Sequence, residues 1–327
     1  MNQLENKISF QDRIKSFFGE KGSAALGLII LFVFMTFMSD RFLTFSNLLN
    51  VARQASINGI IAVGMTYIII TKGIDLSAGA LVALTGTVAA GLIVNMGLPI
   101  IVAIILTLVV GSLVGAFTGV MVSKQNIPPF IVTLALMTIL RGLSFVYTSG
   151  RPIYVSNELF RVIGRGYIGP IPIPVIIAIF IGVIGHIVLK KTKFGRHIYS
   201  VGGNEEAARL CGVNIDKTLI YVYTSAGFLT AISGIILASR LSTGSPNAGD
   251  GAELDAIAAV ILGGTSFAGG IGSVSGTFIG VAIIGILGNG LNLLNVSSYN
   301  QMMVKGLVIL LAVLVNNIKL KKKNISR

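Results

Sequence analysis

Apolar runs of membrane-spanning length recur from one end of this chain to the other, and no other feature constrains its fold as tightly. A transmembrane helix needs about 20 predominantly apolar residues, and its backbone groups must be bonded within the segment itself. The runs are Ser23 to Met38, Ala55 to Ile70, Ala80 to Met96, Leu98 to Val122, Pro129 to Thr148, Ile171 to Leu189 and Thr218 to Ala238. An eighth starts near Ala256 and ends at Gly263, a ninth continues to about Leu294, and the last is Gln301 to Val315. Composition agrees, with 54% apolar and 11% charged residues, against about 25% charged in soluble proteins. The expected fold is all-α: a polytopic helical membrane protein of about ten transmembrane helices.

A formal net charge of +13 invites a nucleic-acid partner. The distribution of the charge removes that need. Most of the basic residues fall in four segments: Lys7 to Lys21, Lys124, Lys190 to Lys217, and Lys319 to Arg327. That is the pattern the positive-inside rule gives cytoplasmic loops. It places both termini in the cytoplasm, with basic tails at residues 1–22 and 317–327 around one membrane domain at 23–316. The amino-terminal tail reads as retained, not as a removable signal peptide. The single cysteine, Cys211, excludes an internal disulfide, and two isolated histidines, His186 and His197, do not make a metal site.

Several local features refine the spans. Phe42 to Gln54 reads as an amphipathic segment lying on the outer interface. Gly111, Gly115 and Gly119 put glycines on one face of the fourth span, where a neighbouring helix can approach closely. Pro128-Pro129 starts the fifth span cleanly. Within that span Arg141 is expected to snorkel to the outer surface, the alternative being a protein-facing or water-facing charge. Residues 149–170 and 239–255 form polar external loops. Two polar, glycine-containing interruptions stand out: Thr71 to Gly79 (TKGIDLSAG) and Gly263 to Gly272 (GGTSFAGGIG). Each is either a tight turn or a break in a helix inside the membrane, where freed backbone groups line a pathway. A 190-residue offset superposes Gly73, Ala78, Gly79, Gly86 and Thr87 on Gly263, Ala268, Gly269, Gly276 and Thr277.

The longest stretch without a membrane-like run is Lys190 to Lys217. Inside it Asn204 can cap a short helix, with Glu205 and Glu206 in the first turn complementing the helix dipole. Arg209 lies near the other end, and Gly212 is placed to terminate the helix in a left-handed conformation. A helix of about seven residues is too short to hold itself together in water. It is expected to dock on a partner.

Glu206-Ala207-Ala208, followed three residues later by Gly212, resembles the EAA motif of bacterial ABC-importer permeases. Phe194-Gly195-Arg196, Val201-Gly202-Gly203-Asn204 and Glu253-Leu254-Asp255-Ala256-Ile257-Ala258 are similar to the monosaccharide-importing branch of that family, and Phe194 to Asn316 most resembles its ribose importers. The resemblance covers nearly the whole chain apart from the tails. It implies that Gly203, Asn204, Glu205, Glu206, Ala207, Ala208, Arg209 and Gly212 form a coupling helix that fits a groove on a separate ATPase. It further implies an extracytoplasmic sugar-binding protein, a second copy of the chain, surrounding lipid, and broken helices near a transport path. The family carries a similar Gly-Ile-Asp-Leu-Ser motif close to that path, here Gly73 to Ser77. Asp75, Ser77, Thr85, Thr265, Ser266 and Ser273 are the expected lining.

The chain carries no phosphate-binding G-x4-G-K-[ST], no dinucleotide fingerprint and no nucleophile elbow. No cofactor or metal is expected, and energy from ATP must arrive through protein contact. An ion-coupled carrier, the competing reading, would need an intramembrane ionisable residue; Asp75 is the candidate. A channel would need a pore-lining charge ring, which is not visible.

Overall fold

A computed structural model describes residues 22–325, without side-chain detail at residue 23 and at 315–325. The expected amino-terminal tail lies outside the described residues except for Gly22. The chain is a helical bundle: α1 Gly22–Met38, α2 Phe45–Ile70, α3 Ala78–Val94, α4 Ile100–Ser123, α5 Pro129–Thr148, α6 Glu158–Arg165, α7 Ile173–Lys191, α8 Lys193–Gly203, α9 Glu205–Leu210, α10 Ile215–Leu241, α11 Ala252–Leu262, α12 Val274–Leu293 and α13 Ser298–Ile325. Among the described residues, six helices (α2, α4, α5, α7, α10 and α12) are long and apolar enough to cross a membrane. Shorter apolar stretches, 24–38, 78–94 and 298–314, lie in α1, α3 and α13.

The bundle is organised on α10, which packs against α4, α2 and α3. The glycine face of α4 behaves as its spacing predicts. A Cβ at Gly115 would strike the carbonyl of Tyr223, and one at Gly119 would meet the backbone of Ile220. Gly227 of α10 answers against the backbone of Gly111 and Gly115. Without side chains between them the two backbones touch, and van der Waals contact replaces the hydrophobic driving force that lipid cannot supply.

Two expectations need correction. The segment Phe42 to Gln54 is not a separate interfacial helix. From Phe45 it is the first part of α2, continuous to Ile70. Asn47 exchanges amide hydrogen bonds with Asn289 of α12 at 2.8 and 3.0 Å, which ties the start of α2 to protein. Arg141 does not snorkel. Its Nη1 donates to the carbonyls of Pro246 and Ala248 at 2.8 and 2.9 Å, and Asp250 lies 3.8 Å away. The charge ties the 245–251 loop to α5.

Sequence pattern also missed small structure around the loops. Residues 149–172 are ordered by α6, whose Asn157 caps the N–H groups of Leu159 and Phe160. Phe160 is fully buried, which is worth about 1.5–3 kcal/mol. Ser239 of α10 clasps α6 by donating to the Phe160 carbonyl at 2.5 Å and accepting from Gly164 N–H at 2.7 Å. β1 (Ile153–Tyr154) lies in the same connection, and Ile153 pairs with Gly244 and Tyr154 with Thr243, antiparallel. The β1 partner, Thr243–Gly244, and a two-residue ribbon of Tyr167–Ile168 with Ile171–Pro172 complete the strand content of the described residues. At the carboxyl end, α13 runs through the expected tail to Ile325.

Candidate functional site

Thr192 breaks α7 from α8 and caps α8, its hydroxyl accepting from Gly195 N–H at 3.2 Å. Asn204 then ends α8 and caps α9, its side chain accepting from Ala207 N–H at 3.0 Å. Glu205 and Glu206 occupy the first turn of α9 and Arg209 its last. Arg209 pairs with Glu205 at 3.2 Å across one turn, an exposed contact worth about 0.3–0.5 kcal/mol. Gly212 follows with φ +81°, its N–H bonded to the Arg209 carbonyl and that of Val213 to Ala208, a left-handed termination.

The two alanines of the motif have different surroundings. Ala208 is 4% exposed and packs with Val201 and Ile215, fixing α9 to its own loop. Ala207, Leu210 and Cys211 are exposed, and their spacing puts them on one face. Leu210 is 81% exposed. A large apolar side chain standing free on a capped six-residue helix is the feature of this loop that motif matching did not single out.

Behind α9, α8 sits on the junction of both interruptions in the membrane helices. Gly202 is so close to α2 that a Cβ there would collide with the Ile70 carbonyl and with Gly270 N. Gly270 N–H donates to that same carbonyl at 2.9 Å, and Tyr199 of α8 donates to the Gly272 carbonyl at 2.8 Å. Phe194 stands edge-on to Tyr67 of α2 and Tyr221 of α10. Three segments far apart in sequence therefore meet at Ile70, Gly202 and Gly270. The α8 helix was not anticipated; Thr192 ahead of Lys193 was its capping signal.

The interruption at 71–77 separates α2 from α3. Asp75 is 7% exposed, and its Oδ1 accepts from the Ser77 N–H and hydroxyl at 2.8 and 2.6 Å. That turn starts α3. Beside it, Tyr223 is buried with its hydroxyl unbonded, packed where a side chain on Gly73 would sit. The interruption at 263–273 separates α11 from α12. Here Thr265 and Ser266 are buried, the Ser266 hydroxyl accepts from Ala268 N–H at 3.2 Å, and Ser273 caps α12 through Gly276 N–H at 3.1 Å. Thr85 stands apart from both. It lies within α3, bonded to the Leu81 carbonyl at 2.7 Å and packed on Gly234 of α10. The 190-residue echo aligns the two breaks but not their registers. It places the start of the second helix at Ala268, whereas α12 begins at Val274.

A bundle of apolar helices with two glycine-rich breaks, joined by a cytoplasm-type basic loop bearing an exposed capped helix, defines a membrane permease component. The comparisons give its family. The family model described as "Branched-chain amino acid transport system / permease component" matches residues 47–313. The ribose import permease protein of Haemophilus influenzae is 49% identical over 296 residues, covering 89% of this chain and 91% of that protein. Its counterpart from Bacillus subtilis is also 49% identical, over 90% of this chain and 92% of the relative. The xylose transport system permease protein of Haemophilus influenzae is 36% identical over 90% and 96% of the two chains. No solved structure matches the chain. The chain belongs to this permease family, and it is a transport component, not an enzyme.

Proposed function

We propose that this chain is the membrane-spanning subunit of an ATP-driven ABC importer that passes ribose, or a similar monosaccharide, across the bacterial cytoplasmic membrane. It works with a separate ATPase, an extracytoplasmic sugar-binding protein and a second copy of itself. Ten membrane segments (α1 to α5, α7 and α10 to α13) cross or enter the bilayer with both termini cytoplasmic. α11, only 11 residues long, reaches about 16 Å at 1.5 Å per residue and is a half-helix. Residues 190–217 are the cytoplasmic coupling loop, and the basic ends of the chain lie on the same side.

One observation carries the mechanism: an exposed, capped helix, α9, rests on α8, whose Gly202 touches both membrane breaks at once. ATP-driven closure of two ATPases would push α9 through Ala207, Leu210 and the rim charges Glu205, Glu206 and Arg209. Displacement of α8 then moves Ile70 and Gly270 together. Both breaks, with Asp75, Ser77, Thr265, Ser266 and Ser273 beside them, would shift between outward and inward access. The sparse aromatic content, with no Trp in the chain, suits a low-affinity passage that leaves capture of the sugar to the binding protein.

An ion-coupled carrier using Asp75 finds no support in the named relatives, and the Asp75 carboxylate is engaged in starting α3. The test is co-purification with the partner ATPase. Wild type should retain it, and a variant carrying Glu206→Lys and Ala207→Trp should lose it while still inserting in the membrane. Retention by that variant would refute the coupling assignment.

A further inference from the structure

Glu253 lies in the first turn of α11 and is 8% exposed, and its Oε2 has no hydrogen-bond partner. A buried carboxylate oxygen left unpaired is costly unless something fills it during function. Its neighbours do not fill it. Asp255 is engaged by Lys305 at 2.8 Å and by Asn58 at 3.5 Å. Arg141 is spent on the Pro246 and Ala248 carbonyls.

In this conformation Oε2 is closed in by backbone. Gly79, in the first turn of α3, has no space for a Cβ because Glu253 Oε2 and the Gly249 carbonyl occupy it. The carboxylate thus lies beside the amino-terminal turn of α3, whose first N–H groups have no intrahelical acceptor. A strong acceptor set against a helix amino terminus is matched to a neutral polyol, one hydroxyl donating and another accepting. Over this site lies the 245–251 loop, which Arg141 pins from α5 and which rests its Gly249 on α3.

We infer that Glu253 is a sugar-contacting residue of the passage, accepting a hydroxyl of the monosaccharide at Oε2, and that the Arg141-pinned loop covers it in this conformation. The inference rests on the importer reading. A role limited to complementing the α11 dipole would tolerate loss of the charge with little effect on transport.

The test uses the assembled transporter in proteoliposomes, with its ATPase, its binding protein and ribose as the probe. Glu253→Gln keeps the size of the side chain, and its variant complex should assemble and hydrolyse ATP. Ribose uptake should fall roughly tenfold or more, as loss of a charge-assisted hydrogen bond implies. In a Cys211→Ser background, Glu253→Cys should react with a small thiol reagent added from outside once the binding protein and ATP are present. Ribose should slow that reaction. Wild-type uptake by Glu253→Gln, or thiol labelling that ribose leaves unchanged, overturns the assignment. Loss of uptake accompanied by failure to assemble in Glu253→Gln makes the residue structural and overturns it as well. If wild type itself moves no ribose with ATP, the importer reading fails, and this inference with it.

Discussion

Replacing Gly202 with alanine tests the contact between the 190–217 loop and the two helix breaks, because its neighbour Gly203 supplies an internal control. A Cβ at position 202 would overlap the Ile70 carbonyl and crowd Gly270 N, whereas a Cβ at position 203 would meet nothing within 4 Å. Both positions are in α8 and neither has a positive φ, so backbone strain does not separate them. At Gly202 the helix must withdraw from α2. The bond from Gly270 N–H to Ile70 O, 2.9 Å long, is then stretched or lost, leaving a half-buried amide unpaired at about 1–3 kcal/mol. Overpacking adds about 1–3 kcal/mol. The total is about 2–6 kcal/mol for Gly202→Ala, against a gain of up to about 1 kcal/mol for Gly203→Ala from helix propensity. The assay is a thermal melt of the purified protein in detergent, paired with the ratio of sugar moved to ATP hydrolysed in proteoliposomes. Gly202→Ala should melt several degrees lower and lose coupling, with Gly203→Ala at or above wild type on both. Equal damage from the two substitutions would refute the reasoning, since the clash would not then be the cause.

Other substitutions separate roles that the sequence runs together. Ala208→Trp should destabilise the loop, because Ala208 is packed against Val201 and Ile215, and the melt should show it. Leu210→Glu should leave the melt unchanged and reduce ATPase co-purification, since the side chain is exposed. Lys305→Met leaves Asp255 as a half-buried charge without its 2.8 Å partner, and the protein should lose stability in the melt. Adding Asp255→Asn should restore most of that stability, measured as the double-mutant coupling. Arg141→Ala releases the 245–251 loop, and amide exchange across those residues should speed up relative to α10.

The apolar helices were legible because lipid demands long apolar segments, and the six helices long enough to cross a membrane among the described residues each coincide with an expected span. The short helix α9 was legible because capping is local: Asn204, Glu205, Arg209 and Gly212 act within or at the ends of one short helix. What escaped depends on tertiary contact. Phe45–Ile70 is one helix whose first turn is tied to α12 by Asn47 and Asn289, and no local pattern announces that partner. Arg141 was expected at the surface because its acceptors, Pro246 and Ala248, lie a hundred residues away in the chain. The EAA motif gave Ala207 and Ala208 the same role, but a six-residue helix has one face on the protein and one free. Similarly, Gly202 and Gly203 are indistinguishable in sequence, and only the approach of Ile70 tells them apart. The hydroxyls expected beside the pathway lie at the two breaks, except Thr85, which sits within α3 against α10.

The central claim is that this chain imports sugar by coupling to an ATPase through α9, and proteoliposomes test it most directly. The chain would be reconstituted with its ATPase and binding protein, and ribose uptake followed with ATP inside, with a non-hydrolysable analogue inside, and with a proton or sodium gradient and no ATP. The account predicts uptake with ATP alone, abolished when α9 carries Glu206→Lys and Ala207→Trp. Uptake by the chain without the ATPase, driven by the ion gradient, would contradict it.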